Sequence, residues 1–393
     1  MPLNFDRAYE KMDKYGLDAL VASTSENVVY VGDHWSLNQW MLKYVPVYVV
    51  LPRDGHAAIV STIGDLDVVA DTQPWIKEIR CYGTFYIEPP ETEDLTEAEE
   101  RLYSLIRGTK VEANHIEALV KTLEEKGLHD KTLGIDERGI THPTWEELKA
   151  RLPRAQLKEA YSILREIRMV KTEKEVELLK KAANISERAV EAAFNIVREG
   201  VSELDLQKEF EIILAREGAK PIPSVFHCGH HSAFNSVNTD YQIKRGDIVR
   251  FDGGCIYQNY YSDIARVAVL GQTTEKQRKY YAALVEGLEV AAEAAKPGVK
   301  ASEIFKVAVE AVKKSGIPHY RRHHVGHGIG IECYDVPLLG PVDNTPLEEG
   351  IVFDIETPYY EFGFGGLQIE ETLVVTGDGC EYLTKHVPEL RIL

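Results

Sequence analysis

A chain of 393 residues has room for two domains, because single hydrophobic cores rarely grow past ~250–300 residues. Its 44% hydrophobic content supports real cores, while 45 basic against 63 acidic residues (net charge −18) argue against a nucleic-acid backbone or an anionic membrane as partner. No apolar run nears the ~20 residues that span a bilayer. The first stretch, MPLNFDRAYEKMDKYG, is charged and amphipathic rather than secretory. Five scattered cysteines (Cys81, Cys228, Cys255, Cys333, Cys380), with no CxxC pair, predict reduced thiols and a cytoplasmic setting.

In chain order, DALVA (18–22), VPVYVVLP (45–52) and HAAIVS (56–61) read as strands, the last two joined through Asp54-Gly55. Between them VGDHWSLNQW (31–40) reads as a polar-aromatic loop after a strand, carrying His34, Trp35 and Trp40. The acidic IEPPETEDLTEAEE (87–100) reads as a solvated connection, TEAEERLYSLI (96–106) and HIEALVKTLEEKG (115–127) as helices, and KTLGIDE (131–137) as a further strand. Residues 1–153 are thus predicted to form an α/β domain with a mixed sheet, without a nucleotide-binding glycine fingerprint or phosphate loop.

Residues 154–393 change texture. The segment 171–200 opens on a capping box, Thr172 to Glu175, and ends on Gly200, which predicts one long helix; a second runs from Ser202 to Gly218. The strands DIVRFDGGCIY (247–257) and SDIARVAVLG (262–271) follow. The plan then repeats, with helices over 275–298 and 302–316 and strands GIVFDIETPYY (350–360) and GLQIEETLVVTG (366–377). Two helical hairpins, each followed by a strand pair, suggest a pseudo-symmetric duplication.

Strand alternation puts Arg250 and Asp252 on one face, Asp354 and Glu356 on one face, and Gln368, Glu370 and Thr372 on one face; Asp263 opens the returning strand. Any single acid at a strand end is most simply solvated. Like-charged carboxylates in duplicated positions converge only where something cationic holds them. Between the pairs lies HHVGHGIG (323–330), either a His-rich surface turn or a source of metal-ligating imidazole. Four carboxylates and one imidazole form a hard, oxygen-rich set suited to two divalent ions.

These motifs resemble the pita-bread metallopeptidases, in the branch with prolidase, aminopeptidase P and creatinase. The matching residues are Asp252 in RFDGG, Asp263 in YYSDIAR, His327 in HHVGHGIG, Glu356 in DIETP and Glu370 in LQIEET. The resemblance implies an α+β chain: a smaller α/β creatinase-like N-terminal domain, then a pita-bread catalytic domain of two related halves. It also implies two divalent metal ions (Mn, Co, Fe or Zn), with Asp252 on one, Asp263 and Glu370 bridging, and His327 and Glu356 completing the other. Water between two such ions is acidified enough to attack an amide carbonyl. Glu356 is the implied proton shuttle, and His323, four residues before His327, the implied histidine lining the substrate site, with His324 its neighbour. The full ligand set argues against a creatinase-like, metal-free mechanism.

Around the ligands the chain departs from the family pattern. Asn235 and Tyr334 stand where family histidines are usual, and Gln368 where an arginine is usual. These three, with His227, are the implied substrate-facing positions; His230 and His231 lie nearby, and neither an amide nor a phenol offers a proton near pH 7. Three readings follow: an Xaa-Pro dipeptidase or aminopeptidase; a same-fold metalloenzyme acting on a small non-peptide C–N compound or a lyase substrate; or a non-catalytic binding protein. The resemblance further implies a homodimer in which His34 and Trp35 of one subunit help cover the substrate site of the other.

Overall fold

The computed structural model describes residues 3–42, 44–89 and 94–393, which form two compact units, Met1–Arg168 and Met169–Leu393. In the first unit seven strands form one sheet in the order Lys110–Glu112, Glu78–Tyr82, Ala58–Thr62, Tyr48–Pro52, Ala19–Ala22, Thr132–Ile135, Gln156–Glu159. Tyr48–Pro52 runs antiparallel to both neighbours and every other pairing is parallel, so the sheet is mixed as expected. Ala19, Val21, Tyr48, Val50 and Val60 pack beneath the helix His115–Glu125 through Ile116, Leu119 and Leu123. The sequence reading missed three strands, Glu78–Tyr82 and the two outermost, the latter being short and rich in Lys and Glu, as suits strands at a sheet's open edges. One of them, Gln156–Glu159, pairs with Thr132–Ile135, so this unit continues past 153 to Arg168.

The segment 31–40 is not a loop after a strand. It leaves the helix Ser25–Gly32, and Leu37–Leu42 is a short helix of its own. Of the acidic connection, residues 90–93 lie outside the described residues; the helix Glu97–Gly108 behind it opens on a capping box between Thr96 and Glu99.

The second unit is built from four helices, α1 (Glu173–Asn195), α2 (Glu203–Arg216), α3 (Glu275–Ala294) and α4 (Ala301–Ser315), around one large sheet. Its main strands are β1 (Val225–Cys228), β2 (Ile248–Gly253), β3 (Ile264–Val269), β4 (Gly326–Gly328), β5 (Asp335–Leu338), β6 (Val352–Glu356) and β7 (Glu370–Val375), in the spatial order β5-β4-β6-β7-β3-β2-β1. The Thr172–Glu175 capping box forms as its spacing predicts. α1 nevertheless stops at Asn195, because the Gly200 N–H donates to the Ile243 carbonyl and Ile243 N–H to that of Val201, which draws the chain out of the helix. Apolar α1 and α2 residues such as Ile185, Val190, Leu206 and Phe210 pack on Phe226, Val249 and Phe251. In the other half Leu284, Leu288, Ile304 and Val312 of α3 and α4 pack on Phe353, Ile355 and Leu373. The sheet is thus apolar where the helices cover it, and the polar residues that alternate along β2, β6 and β7 are left for the opposite face.

Candidate metal centre

Pairing register assembles the site. Asp252 is the Cα partner of Ala265, Ala265 of Glu370, and Glu370 of Glu356, so one row across four strands carries three acids on one face. The next row carries Thr372, Asp354 and His327, paired in that order. Asp263, two residues before Ala265, joins it where Thr372 Oγ1–H donates to the Asp263 carbonyl (3.4 Å). Single ligand atoms of Asp263, His327 and Glu370 all lie within 4.8 Å of one another. Asp252 and Glu356 stand at the two ends of the acidic row, Asp252 ion-paired with Arg250 (3.0 Å) and Glu356 beside His324 Nδ1 (3.0 Å) and Arg322 Nη2 (3.7 Å).

Two glycines of HHVGHGIG make this possible. Gly326 has φ +144°, and a Cβ there would collide with the Asp354 carbonyl; one at Gly328 would collide with that of Val336. The chain therefore runs closely between its neighbours and presents the His327 imidazole, with Nδ1 3.1 Å from the Gly328 carbonyl.

The residues fit divalent metal ions. His327 Nε2 and Asp263 Oδ1 are buried without a hydrogen-bond partner, which a folded protein tolerates poorly unless another group fills the gap. Burial pushes the Asp263 carboxyl up to about 8, with Asp252 adding repulsion, and burial raises Asp252 and Glu370 as well. Burial likewise lowers His327, favouring the neutral imidazole that ligates metals. Glu356 differs. Burial opposes its charge, but the His324 contact and the Arg322 and His327 fields outweigh burial and hold its carboxyl below the ordinary range.

The other expected site residues divide. Gln368 and His227 are buried, Asn235 is exposed, and all three meet one guanidinium, that of Arg250. Tyr334 is 53% exposed and stacks on His327 with ring centroids 3.7 Å apart. His323 is exposed, and the imidazole at Glu356 is that of His324, whose ring lies 6.3 Å from that of His327; His323 and His324 both precede β4, so strand alternation does not fix which of them faces the acids. His230 and His231 cluster with Tyr241, and His231 faces Glu203 rather than the acids. His34 is fully buried within the first unit and so lines no open site, while Trp35 is half-buried and Trp40 is 47% exposed.

Sequence reasoning missed Arg250, Arg322, His324 and Cys333 as site residues. Cys333 Sγ–H donates to Asp263 Oδ2 (3.2 Å). Only Arg250 left a legible signal, by sharing the face of Asp252. Asp354, seen to share the face of Glu356, turns out fully buried with neither carboxylate oxygen hydrogen-bonded, its Oδ2 3.9 Å from His327 Nδ1.

Two family models match the chain: metallopeptidase family M24 over residues 177–377 and the creatinase/prolidase N-terminal domain over residues 5–170. An Xaa-Pro dipeptidase from Pyrococcus furiosus is 37% identical over 263 residues, 66% of this chain and 75% of that protein. One from Lactobacillus delbrueckii subsp. lactis is 31% identical over 267 residues, 66% and 72% of the two chains. The crystal structure of the prolidase from Pyrococcus horikoshii OT3 superposes with a TM-score of 0.76 at 28% identity, covering 98% of this chain and 99% of its own.

Proposed function

The chain belongs to metallopeptidase family M24 and is a peptidase hydrolase, and on that footing we propose that it cleaves Xaa-Pro dipeptides at a centre of two divalent metal ions. The fold is a creatinase-type N-terminal domain followed by a pita-bread catalytic domain. The observation that carries the proposal is the register that lines up Asp252, Glu370 and Glu356 beside the unpartnered ligand atoms of Asp263 and His327. Asp252, Asp263, His327, Glu356 and Glu370 are the residues that would hold the ions. A shell of four carboxylates and one imidazole suits Mn, Co or Fe at least as well as Zn.

When bound, the ions acidify a water and polarise the scissile carbonyl. Glu356, kept ionised by its neighbours, would accept the proton of an attacking water and deliver it to the leaving nitrogen. His324, rather than His323, is the imidazole at hand to stabilise charge beside Glu356. The Tyr334 phenol, held over His327 by ring stacking, is a hydrogen-bond donor for the substrate. Assay of Xaa-Pro dipeptides with added Mn or Co, with metal content measured in parallel, tests this; a loaded enzyme inert on every Xaa-Pro peptide would sink it.

One observation favours the second reading, a small non-peptide amide. The Oε1 of Gln368 and the Oδ1 of Asn235 are both engaged by Arg250, so this wall differs in chemistry from one built of histidine and arginine. A panel of small cyclic and linear amides alongside the dipeptides separates the two.

The proposal includes a cytoplasmic homodimer. All five cysteines are free thiols, and no helix among the described residues is long and apolar enough to cross a membrane. The first unit exposes Trp40, Met41, Tyr44, Phe85, Tyr86 and Ile87, with Phe85 and Asn38 both packed at Gly64, an apolar patch suited to a second copy of the chain.

A further inference from the structure

We propose that Arg250 is a positioning residue that ties the Asp252 end of the metal centre to the wall carrying Asn235 and Gln368, so that metal affinity and substrate affinity depend on one buried guanidinium. The inference rests on Asp252 being a metal ligand. Arg250 lies two residues before Asp252 on β2 and is fully buried. Its Nη1–H groups donate to Asp252 Oδ2 (3.0 Å), Gln368 Oε1 (2.7 Å) and Tyr360 Oη (3.1 Å). Its Nη2–H groups donate to the Phe234 carbonyl (2.6 Å) and Asn235 Oδ1 (3.2 Å), and Nη2 lies 3.2 Å from His227 Nδ1. The guanidinium also sits 4.9 Å from the Tyr360 ring centroid.

Among these partners Asp252 alone is a carboxylate; Gln368, Tyr360, Phe234 and Asn235 offer neutral oxygens from three separate chain segments. A fully buried guanidinium needs hydrogen bonds for its N–H groups whatever its role, so the number of partners is not what marks Arg250 as a positioning residue. The arrangement instead fixes directions. The bond to Oδ2 sets the plane of the Asp252 carboxylate, and a ligand's orientation governs how well it chelates. The bonds to Phe234 and Asn235 hold the connection that follows β1, and those to Gln368 and Tyr360 hold the opposite side. Lysine offers a single ammonium on a flexible stem, so it cannot serve both ends of this fork at once.

Register adds an independent prediction. Arg250 stands on β2 two residues ahead of Asp252, and Gln368 stands just before β7 two residues ahead of Glu370; β2 and β7 both flank β3. Their tips already meet at 2.7 Å. A guanidinium delivered from position 368 should therefore reach the same spot when residue 250 carries the amide.

The test measures Mn binding by calorimetry on the full-length chain, and kcat and KM on an Xaa-Pro dipeptide at saturating Mn. It compares the wild type with Arg250→Lys, Arg250→Gln and the swap Arg250→Gln/Gln368→Arg, with circular dichroism to confirm folding. Arg250→Gln should weaken Mn binding by about 10–100-fold and raise KM more than it lowers kcat. Arg250→Lys should recover part of the metal affinity but little of the KM. The swap should recover about tenfold or more of both. Mn affinity within about twofold of wild type in folded Arg250→Gln, or a swap no better than the single variant, would overturn the proposal. Should Arg250→Gln fail to fold, wild-type Mn affinity and KM in Arg250→Lys would overturn it equally. Asp252→Asn separates the premises: if it leaves Mn binding untouched, the ligand assignment fails and takes this proposal with it, whereas weakened binding there with none in the Arg250 variants overturns the proposal alone.

Discussion

Replacing Gly326 with alanine tests how the two polar rows are assembled. The added Cβ would collide with the Asp354 carbonyl on β6 and lie 3.1 Å from Ile355 Cα, and the residue would have to hold φ at +144°. Holding an L-residue in that region costs about 1–3 kcal/mol. Moving β4 off β6 to relieve the collision leaves buried ladder groups near the Gly326–Ile355 pair unmade, at about 1–3 kcal/mol for each. The two costs together, with one ladder group unmade, predict a loss of about 2–6 kcal/mol, and a fall in Tm on the order of 10 °C for a unit of this size. Since His327 is the next residue, Mn affinity should fall at least about tenfold. Gly363→Ala is the matched control, for Gly363 has φ +80° but nothing within 4 Å of the added carbon, so it feels the backbone effect alone. Thermal unfolding and Mn titration of both variants decide the matter. A Gly326→Ala protein no less stable than Gly363→Ala, with unchanged Mn affinity, would refute the close-approach argument.

Asp263→Asn and Glu370→Gln should each lose at least one metal ion per chain and at least about a hundredfold in activity, as metal analysis and dipeptide turnover would show; full occupancy with normal turnover rejects the bridging assignment. Burial pushes the Glu175 carboxyl up to about 7 from an ordinary 4.5. Its contribution to stability is therefore fully present below about 4.5 and lost as pH rises through about 7, amounting to about 3 kcal/mol. Glu175→Gln should accordingly gain on the wild type in denaturant unfolding as pH climbs across that window, and parallel curves would contradict the reasoning. Asn235→His and Tyr334→His should leave Xaa-Pro turnover intact or raise it if the natural substrate is a peptide, and should damage turnover of a small amide if that is the substrate; loss of dipeptide activity at unchanged metal content means these positions were misread. Trp40→Glu combined with Tyr86→Lys should shift the chain toward monomer in sedimentation velocity, and an unchanged sedimentation coefficient would remove the apolar patch as the dimer contact.

By itself, the sequence determined the two-unit plan and the duplicated helix hairpins, and its resemblance to the pita-bread family implied the five candidate ligands. Local chemistry carried the rest: caps such as Thr172–Glu175, period-two alternation that put acids on shared faces in RFDGG and DIETP, and glycines beside His327. Edge strands as short and charged as Lys110–Glu112 carry no such periodicity, and the stop of α1 at Asn195 depends on a backbone bond to Ile243 that no local pattern encodes. Tertiary structure alone decided which histidine reaches Glu356, since His323 and His324 precede β4, where no strand alternation sets the side each faces, and it is His324 that meets the carboxylate. It also decided that His34 is interior and that Arg250 gathers Asn235, Gln368 and His227, because pairing distant strands sets which side chains share a face and which of them meet.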